Sequence, residues 1–184
     1  IRLKEAMGVE NILRREHEPV EFVWPRLKAI PGLHLLADEH PDRLGILSFY
    51  IDDLHYNLAV RLLNDRYGIQ VRGGCSCAGT YGHYLLHVSR EKSKAITDRI
   101  NAGDKTEKPG WVRLSLHPTM TDGEIKLIVD AIATLATHHR EWASDYTYDP
   151  HTNEFSHRVE NGAIDRRVHG WFDGFGQSAA VTAK

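Results

Sequence analysis

Leu44-Gly-Ile-Leu-Ser-Phe-Tyr-Ile51 is the stretch of sequence that decides the fold. Its apolar side chains alternate onto both faces of a strand, with Leu44 and Ile46 on one face and Leu47, Phe49 and Ile51 on the other. Successive residues of a strand point to opposite sides of the sheet, so this pattern is typical of a sheet covered on both faces. The stretch therefore predicts a central strand of a layered α/β domain.

The segments around this strand predict further helices and strands. Upstream, residues 5–30 have helical spacing, in a helix that Pro19 and Pro25 should kink or break, and residues 33–37 form a strand. Downstream, the predicted elements are a helix over 57–67, a strand over 69–71, a helix over 89–102, a strand over 111–116, a capping-box helix over 121–141 and a hairpin around 149–153. The sum is a fold of the α/β or α+β class, a small and mostly antiparallel sheet with helices packed on it.

Composition sets limits on the function. The 184 residues carry a net charge of −2, which gives no electrostatic support to nucleic-acid or membrane-surface binding. No apolar run approaches the roughly 18 residues of a membrane span, and no signal-peptide pattern opens the chain. Cys75 and Cys77 are too close together for a disulfide framework, so we expect a reducing, cytoplasmic setting. The first residue, Ile1, falls within a helical pattern, and we expect a fragment of a longer protein.

We expect the chain to divide into one domain over 1–148 and a C-terminal hairpin and arm, partly flexible, over 149–184. Within the domain, the stretch with most chemical potential is Val71-Arg-Gly-Gly-Cys-Ser-Cys-Ala-Gly-Thr-Tyr-Gly82. Its glycines allow close approach of the backbone to a ligand, and a thiol beside Arg72 is a candidate nucleophile because positive charge favours the thiolate. Two other interpretations stay open. The cysteines are small residues of a tight loop, or they bind a metal in the set Cys75, Cys77, His83 and His87, at intervals far shorter than known zinc spacings.

Arg113 is the second candidate, in the predicted strand Trp111-Val-Arg-Leu-Ser-Leu116. Strand alternation places it on the face opposite the aliphatic side chains of Val112, Leu114 and Leu116. A guanidinium in mid-strand is costly to bury unless it meets a carboxylate, which it can bind through two hydrogen bonds. The alternative is an ordinary solvated arginine on an outer face. His117 ends the same strand and is a possible residue of the same cleft.

Four segments together resemble the C-terminal part of class V aminotransferases, especially the cysteine desulfurase and selenocysteine lyase branch. They are Glu5-Ala-Met-Gly-Val-Glu-Asn-Ile12, Asp42-Arg-Leu-Gly-Ile-Leu-Ser-Phe49, Tyr67-Gly-Ile-Gln-Val-Arg-Gly-Gly-Cys-Ser-Cys-Ala78 and Trp111-Val-Arg-Leu-Ser-Leu-His-Pro-Thr-Met-Thr121. The likeness runs from about residue 5 to 140. It implies the small domain of a fold-type I pyridoxal 5'-phosphate (PLP) enzyme, normally a homodimer, with its active site between a large and a small domain.

The resemblance also implies roles for particular residues. Arg113 would bind the α-carboxylate of an amino-acid substrate, and Arg72 would lie near that carboxylate or the loop. Cys77 matches the cysteine that takes sulfur from the PLP-bound substrate as a persulfide, whereas Cys75 does not match it. The lysine, the acid and the phosphate-binding residues that hold PLP have no counterpart here. We therefore expect the chain alone to bind no cofactor and to be inactive without its own large domain.

Two other functions remain open. The chain could act only as a non-catalytic folding or interaction domain, which the missing lysine favours. The full-length protein could also be a lyase or transferase of the same class that acts on an amino acid without sulfur transfer.

Overall fold

The structure is a computed structural model that describes residues 1–75 and 79–159, with Arg166, His169 and Gly170. Its helices are α1 (Arg2–Met7), α2 (Val9–Lys28), α3 (Tyr56–Tyr67), α4 (Gly79–Leu85), α5 (Arg90–Asn101) and α6 (Asp122–Trp142). Its strands are β1 (Leu33–Leu35), β2 (Ile46–Ile51), β3 (Arg72–Gly74), β4 (Trp111–Ser115), β5 (Tyr146–Asp149) and β6 (Glu154–His157). A 3₁₀ turn, Ala143–Asp145, links α6 to β5.

The first four strands form one sheet in the order β1-β2-β4-β3, and every neighbouring pair is antiparallel. The predicted small antiparallel sheet with helices packed on it is therefore confirmed. Since the strand pairs are antiparallel, the α+β alternative describes the fold better than a parallel α/β layer does.

One face of this sheet forms the core of the domain. Leu47 and Phe49 of β2 and Val112 and Leu114 of β4 are almost completely buried. They belong to a single apolar cluster with residues of α2, α3 and α6, among them Val23, Leu27, Leu62, Leu63, Ile132 and Leu135. Burying this area drives the folding of the domain, because most of the apolar side chains of β2 and β4 leave water on this face.

The expectation that the strand over 44–51 is covered on both faces is wrong. Leu44 is 57% exposed and Ile46 is 45% exposed, although both were expected to be covered. The physical reason is that the second face is polar beyond Ile46, because the next residue of β2 on that face is Ser48, which pairs with Arg113 of β4. Those side chains are polar, so packing on them gains little. On this face helix α4 packs instead against Trp111, which is 6% exposed and would lie 3.1 Å from a Cβ atom on Gly82.

The prolines do not break α2, which runs from Val9 to Lys28 with Pro19 and Pro25 inside it. The interruption falls instead at Gly8, which separates α1 from α2 with φ of 79°. A proline inside a helix costs about 3 kcal/mol, and packing outweighs that cost here because the buried stripe of α2 seats the helix on the core.

The predicted strand over 69–71 is also misplaced, because the strand is Arg72–Gly74, inside the stretch expected to be a loop. Its glycines have no side chains of their own to signal a strand, and the pairing comes from the neighbouring β4. Helix α4 was not predicted, since Gly79 and Gly82 lower the helical propensity of its segment.

Other local predictions are confirmed. Helix α3 ends at Gly68 in the left-handed conformation, and α6 begins with the capping box of Thr121 and Glu124. The predicted hairpin is β5-β6, whose turn contains Asn153 at φ of 66°. Across the described residues, no helix is both long and apolar enough to cross a membrane. The division at 148/149 stays a prediction, and most of the proposed arm beyond residue 159 lies outside the described residues.

Candidate functional site

Two arginines stand directly opposite each other on the second face of the sheet, the face opposite the core. Arg72 of β3 pairs with Arg113 of β4, and Ser48 of β2 pairs with Arg113 on its other side. Residues directly opposite in an antiparallel pair project from the same face with Cβ atoms about 5 Å apart. Sequence reasoning had singled out both arginines separately, and the strand register brings them into one row.

Neither arginine is neutralised by the described part of the chain. No described carboxylate lies within ion-pair distance of Arg72 or Arg113, whereas other arginines such as Arg15 and Arg66 have such partners. The Nε atom of Arg113 is buried and has no hydrogen-bond partner there. Like charges that face each other repel, and a buried donor without a partner costs about 1–3 kcal/mol. An anion held between the two guanidinium groups would relieve both costs.

Tyr56, at the start of α3, supports these two strands from the core side. A Cβ atom on Gly73 would lie 3.1 Å from Cδ2 of Tyr56, and one on Gly110 would lie 2.5 Å from its Cε1. The ring therefore occupies space that side chains at both glycines would fill. Burial raises the pKa of the Tyr56 hydroxyl, and a hydrogen bond with Asn153 partly offsets this rise. The close approach explains why glycines stand beside both arginine-bearing strands.

Cys75 follows β3 directly and is a free, half-buried thiol. It lines a cavity of about 260 Å³ between α4 and α5, together with His83, Ser93, Thr97 and Lys108. His83 Nδ1 is hydrogen-bonded to the Ser93 hydroxyl at 2.5 Å. Cys77 lies outside the described residues, so its predicted role as sulfur acceptor stays a prediction.

The metal interpretation rests partly on that same cysteine. Among the residues with described positions, no group of three or more His, Cys, Asp or Glu side chains is arranged to hold a metal ion. Because Cys77 is not among them, the set of Cys75, Cys77, His83 and His87 is not tested as a whole.

Two histidines have local structural roles. His117 is exposed, and its Nδ1 lies 2.7 Å from the Thr119 hydroxyl in the turn between β4 and α6. No described contact joins it to Arg113, so its place in the cleft stays a prediction. His55 caps α3, where its Nδ1 accepts a hydrogen bond from the Asn57 amide at 3.1 Å. Burial lowers the pKa of His55 because the ring is shielded from water.

Sequence reasoning missed an open cleft of about 920 Å³ between α4 and the β1 edge of the sheet. Its walls include His34 and Tyr50 on the sheet and Tyr81 and Tyr84 on α4. Tyr50 and Ser48 are two residues apart on β2, so the cleft opens on the same face as the arginine row. The signal that could have revealed it is the pair Tyr81 and Tyr84, which are spaced by three residues and both exposed.

Comparison with known proteins accounts for this combination of sheet and loop. The family model described as "Aminotransferase class-V" matches residues 1–128. The chain belongs to the class V aminotransferase family. Enzymes of this family depend on PLP. Both arginine-bearing strands and the segment between them, which contains α4 and α5, fall inside the matched region.

The relatives are cysteine desulfurases. The chain is 37% identical over 73 residues to one from Escherichia coli O127:H6, covering 40% of this chain and 17% of that enzyme. It is 25% identical over 109 residues to one from Haloferax volcanii, covering 53% of this chain and 25% of that enzyme. The fold is similar to the apo cysteine desulfurase of Thermococcus onnurineus NA1, with a TM-score of 0.52, 22% identity and coverage of 74% of this chain and 28% of that one. The chain thus spans about a quarter or less of the length of these two curated relatives.

Proposed function

We propose that this chain is the C-terminal, substrate-binding part of a PLP-dependent cysteine desulfurase. The observation that carries the proposal is the facing pair of Arg72 and Arg113, which has no carboxylate partner among the described residues. Planar guanidinium groups bind carboxylates through paired, charge-assisted hydrogen bonds. The α-carboxylate of an amino acid matches this pair in charge and offers two acceptor oxygens to the guanidinium donors.

The donors on this face suit the substrate rather than the cofactor. They are guanidinium groups and the hydroxyl of Ser48, while the lysine and the acid that would anchor PLP belong to the rest of the full-length protein. When bound, PLP supplies the electron sink that activates the substrate amino acid. The arginines of this chain hold that amino acid by its carboxylate and orient its side chain towards the loop after β3.

Cys77 is the proposed sulfur acceptor on that loop. In the reaction the C–S bond of substrate cysteine breaks, an S–S bond to the Cys77 sulfur forms, and alanine leaves. The protein ends the step as a persulfide, and no outside oxidant or reductant is needed. The similarity of this chain to cysteine desulfurases supports sulfur transfer over a class V reaction without it.

Substitution of Arg113 in the full-length enzyme tests the carboxylate role. We expect Arg113→Ala to raise KM for L-cysteine about 10- to 100-fold, since hydrogen bonds to charged groups contribute about 1.5–3 kcal/mol. Arg140→Ala is the matched control, because Arg140 is exposed and pairs with Asp53 away from this face. An Arg113→Ala enzyme with the KM of the wild type would overturn the assignment.

The two cysteines provide their own matched pair for the sulfur step. We expect Cys77→Ala to abolish alanine formation from L-cysteine, and Cys75→Ala to retain most of it. The readouts are alanine production and mass detection of a persulfide on the loop peptide. Equal activity of Cys77→Ala and wild type would show that the loop thiol is not the acceptor and would favour a reaction without sulfur transfer.

The second face of the sheet is the proposed docking surface for the large domain of the same protein. Apolar side chains such as Ile46 and Leu44 are exposed on it beside the arginine row. We also propose that the full-length enzyme is a cytoplasmic homodimer. Sedimentation of the full-length protein at a monomer mass would contradict the dimer.

A further inference from the structure

The C-terminal hairpin is joined to Tyr56 through one buried asparagine. Asn153 is only 7% exposed, and its Nδ2 donates to the Tyr56 hydroxyl at 2.8 Å. Its Oδ1 accepts from the Tyr148 hydroxyl at 2.9 Å, and its backbone carbonyl accepts from the Asn57 side chain. The side-chain amide therefore links β5, the hairpin turn and the start of α3 within one hydrogen-bonded network.

The same hairpin turn also contacts the connection that leads into β4. The Lys105 amide donates to the Pro150 carbonyl at 3.0 Å, and Lys105 Nζ donates to the His151 carbonyl at 2.6 Å. His151 Nδ1 lies 3.1 Å from the Gly103 carbonyl. The hairpin thus holds both the residue beneath the arginine-bearing strands and the segment that precedes one of them.

Tyr56 in turn touches β3 directly beside Arg72 and touches the residue just before β4, the strand that carries Arg113. Its ring packs against Gly73, which follows Arg72 in β3, and against Gly110, which leads into β4. A rotation or retreat of the ring would loosen β3 against β4, because the ring fills the space at Gly110 and shares the space at Gly73 with Asn57 and Val60.

We propose that Asn153 and Tyr56 are positioning residues, through which the hairpin fixes the spacing of Arg72 and Arg113 for a single carboxylate. This inference rests on the proposed function and extends it to Asn153, which lies beyond the matched region that ends at residue 128. Neither residue touches substrate. Each acts through the strands that carry the arginines.

The test uses the full-length enzyme loaded with PLP and three single variants. Tyr56→Phe removes only the hydroxyl, and Asn153→Gly removes the amide while tolerating φ of 66°. Tyr146→Phe is the control, since its hydroxyl bonds Asp65 and so ties the same hairpin to α3 away from the arginines. The measurements are KM and kcat for L-cysteine, and hydrogen–deuterium exchange of the peptide containing residues 72–74.

We expect Tyr56→Phe to raise KM about three- to tenfold, since one hydrogen bond contributes about 0.5–1.5 kcal/mol, and Asn153→Gly, which removes two side-chain hydrogen bonds, to raise KM at least as much. kcat should change less, exchange at 72–74 should accelerate, and the double variant should be no worse than the more affected single one. Tyr146→Phe should lower thermal stability while leaving KM and that exchange unchanged.

Two results would overturn the inference: unchanged exchange at 72–74 in both variants, or an equal rise of KM in all three variants. A third result would separate the two proposals: the wild-type enzyme binds no amino acid, but Tyr56→Phe and Asn153→Gly still accelerate exchange at 72–74. In that case only the proposed function is wrong. The exchange response would then still support the link from hairpin to strand.

Discussion

The two faces of the four-stranded sheet differ sharply although they are built from the same strands. On one face Phe49, Leu47 and Leu114 are buried beneath three helices. On the other, Ser48 and the facing arginines stand in a polar row beside Trp111, against which α4 packs. Strand alternation allows one short segment to serve both purposes, because neighbouring residues never share a face.

This difference separates stability from binding within single strands. The covered face lowers the free energy of the folded state relative to the unfolded state, because it removes apolar surface from water. The open face raises it, since facing cations repel and Arg113 Nε has no partner in the described structure. A protein that retains such a cost on one face is expected to use it for a ligand.

The largest predicted effect is a difference in stability between substitutions at two neighbouring residues of β2, Phe49 and Ser48. Phe49→Ala should lower the free energy of unfolding of this chain by about 3–5 kcal/mol, because the ring is fully buried and leaves a cavity. Ser48→Ala, one residue away on the open face, should change it by less than about 0.5 kcal/mol. Urea unfolding followed by circular dichroism measures both, and similar losses in the two variants would show that the faces are not distinct.

The next largest predicted effect concerns the packing of Tyr56 against Gly110, just before the strand that carries Arg113. Gly110→Ala should destabilise the chain by about 1–3 kcal/mol, because the new Cβ atom would lie 2.5 Å from the buried Tyr56 ring. Gly123→Ala is the matched control, since its Cβ meets nothing closer than 4.0 Å. A thermal melt in which both variants unfold at the wild-type temperature would contradict the close packing at Gly110.

A smaller predicted effect is a pH dependence of the stability of this chain, caused by His55. Burial lowers the pKa of His55, so the unfolded chain takes up a proton before the folded chain does. Stability is therefore complete above the ordinary pKa of 6.5 and falls as the pH drops below it, by at most about 1.4 kcal/mol per pH unit for one proton.

The control is His55→Asn, which keeps a side-chain acceptor for the cap of α3 but does not titrate. Its stability should vary less between pH 7 and 5 than that of wild type. Parallel pH profiles of the two proteins would exclude His55 as the source of the difference.

The smallest effect concerns the open face itself. Arg72→Gln should raise the stability of this chain by about 0.2–1 kcal/mol, because it removes one of two facing positive charges. The gain should shrink in high salt, which screens exposed charges. Arg66→Gln, which removes an ion pair with Asp145, should show no such gain. A stability loss in Arg72→Gln would indicate that the arginine row is not under electrostatic strain.

Sequence patterns predicted the elements whose signals are local. The capping box of Thr121, the glycine that ends α3 and the hairpin turn each determine their own backbone geometry within a few residues. Alternation in β4 also predicted the face of Arg113. The predictions failed where distant packing decided the outcome, as in the proline-containing α2 and in the glycine strand β3.

By itself, the sequence determined the family, the antiparallel sheet and both arginines as candidates, because motif spacing and strand alternation are properties of short segments. Only the tertiary structure decided that Arg72 and Arg113 face each other, that the second face of the sheet is open, and that the hairpin reaches Tyr56 through Asn153. These are contacts between residues far apart in the chain. Their geometry follows from strand register and core packing, which no local pattern encodes.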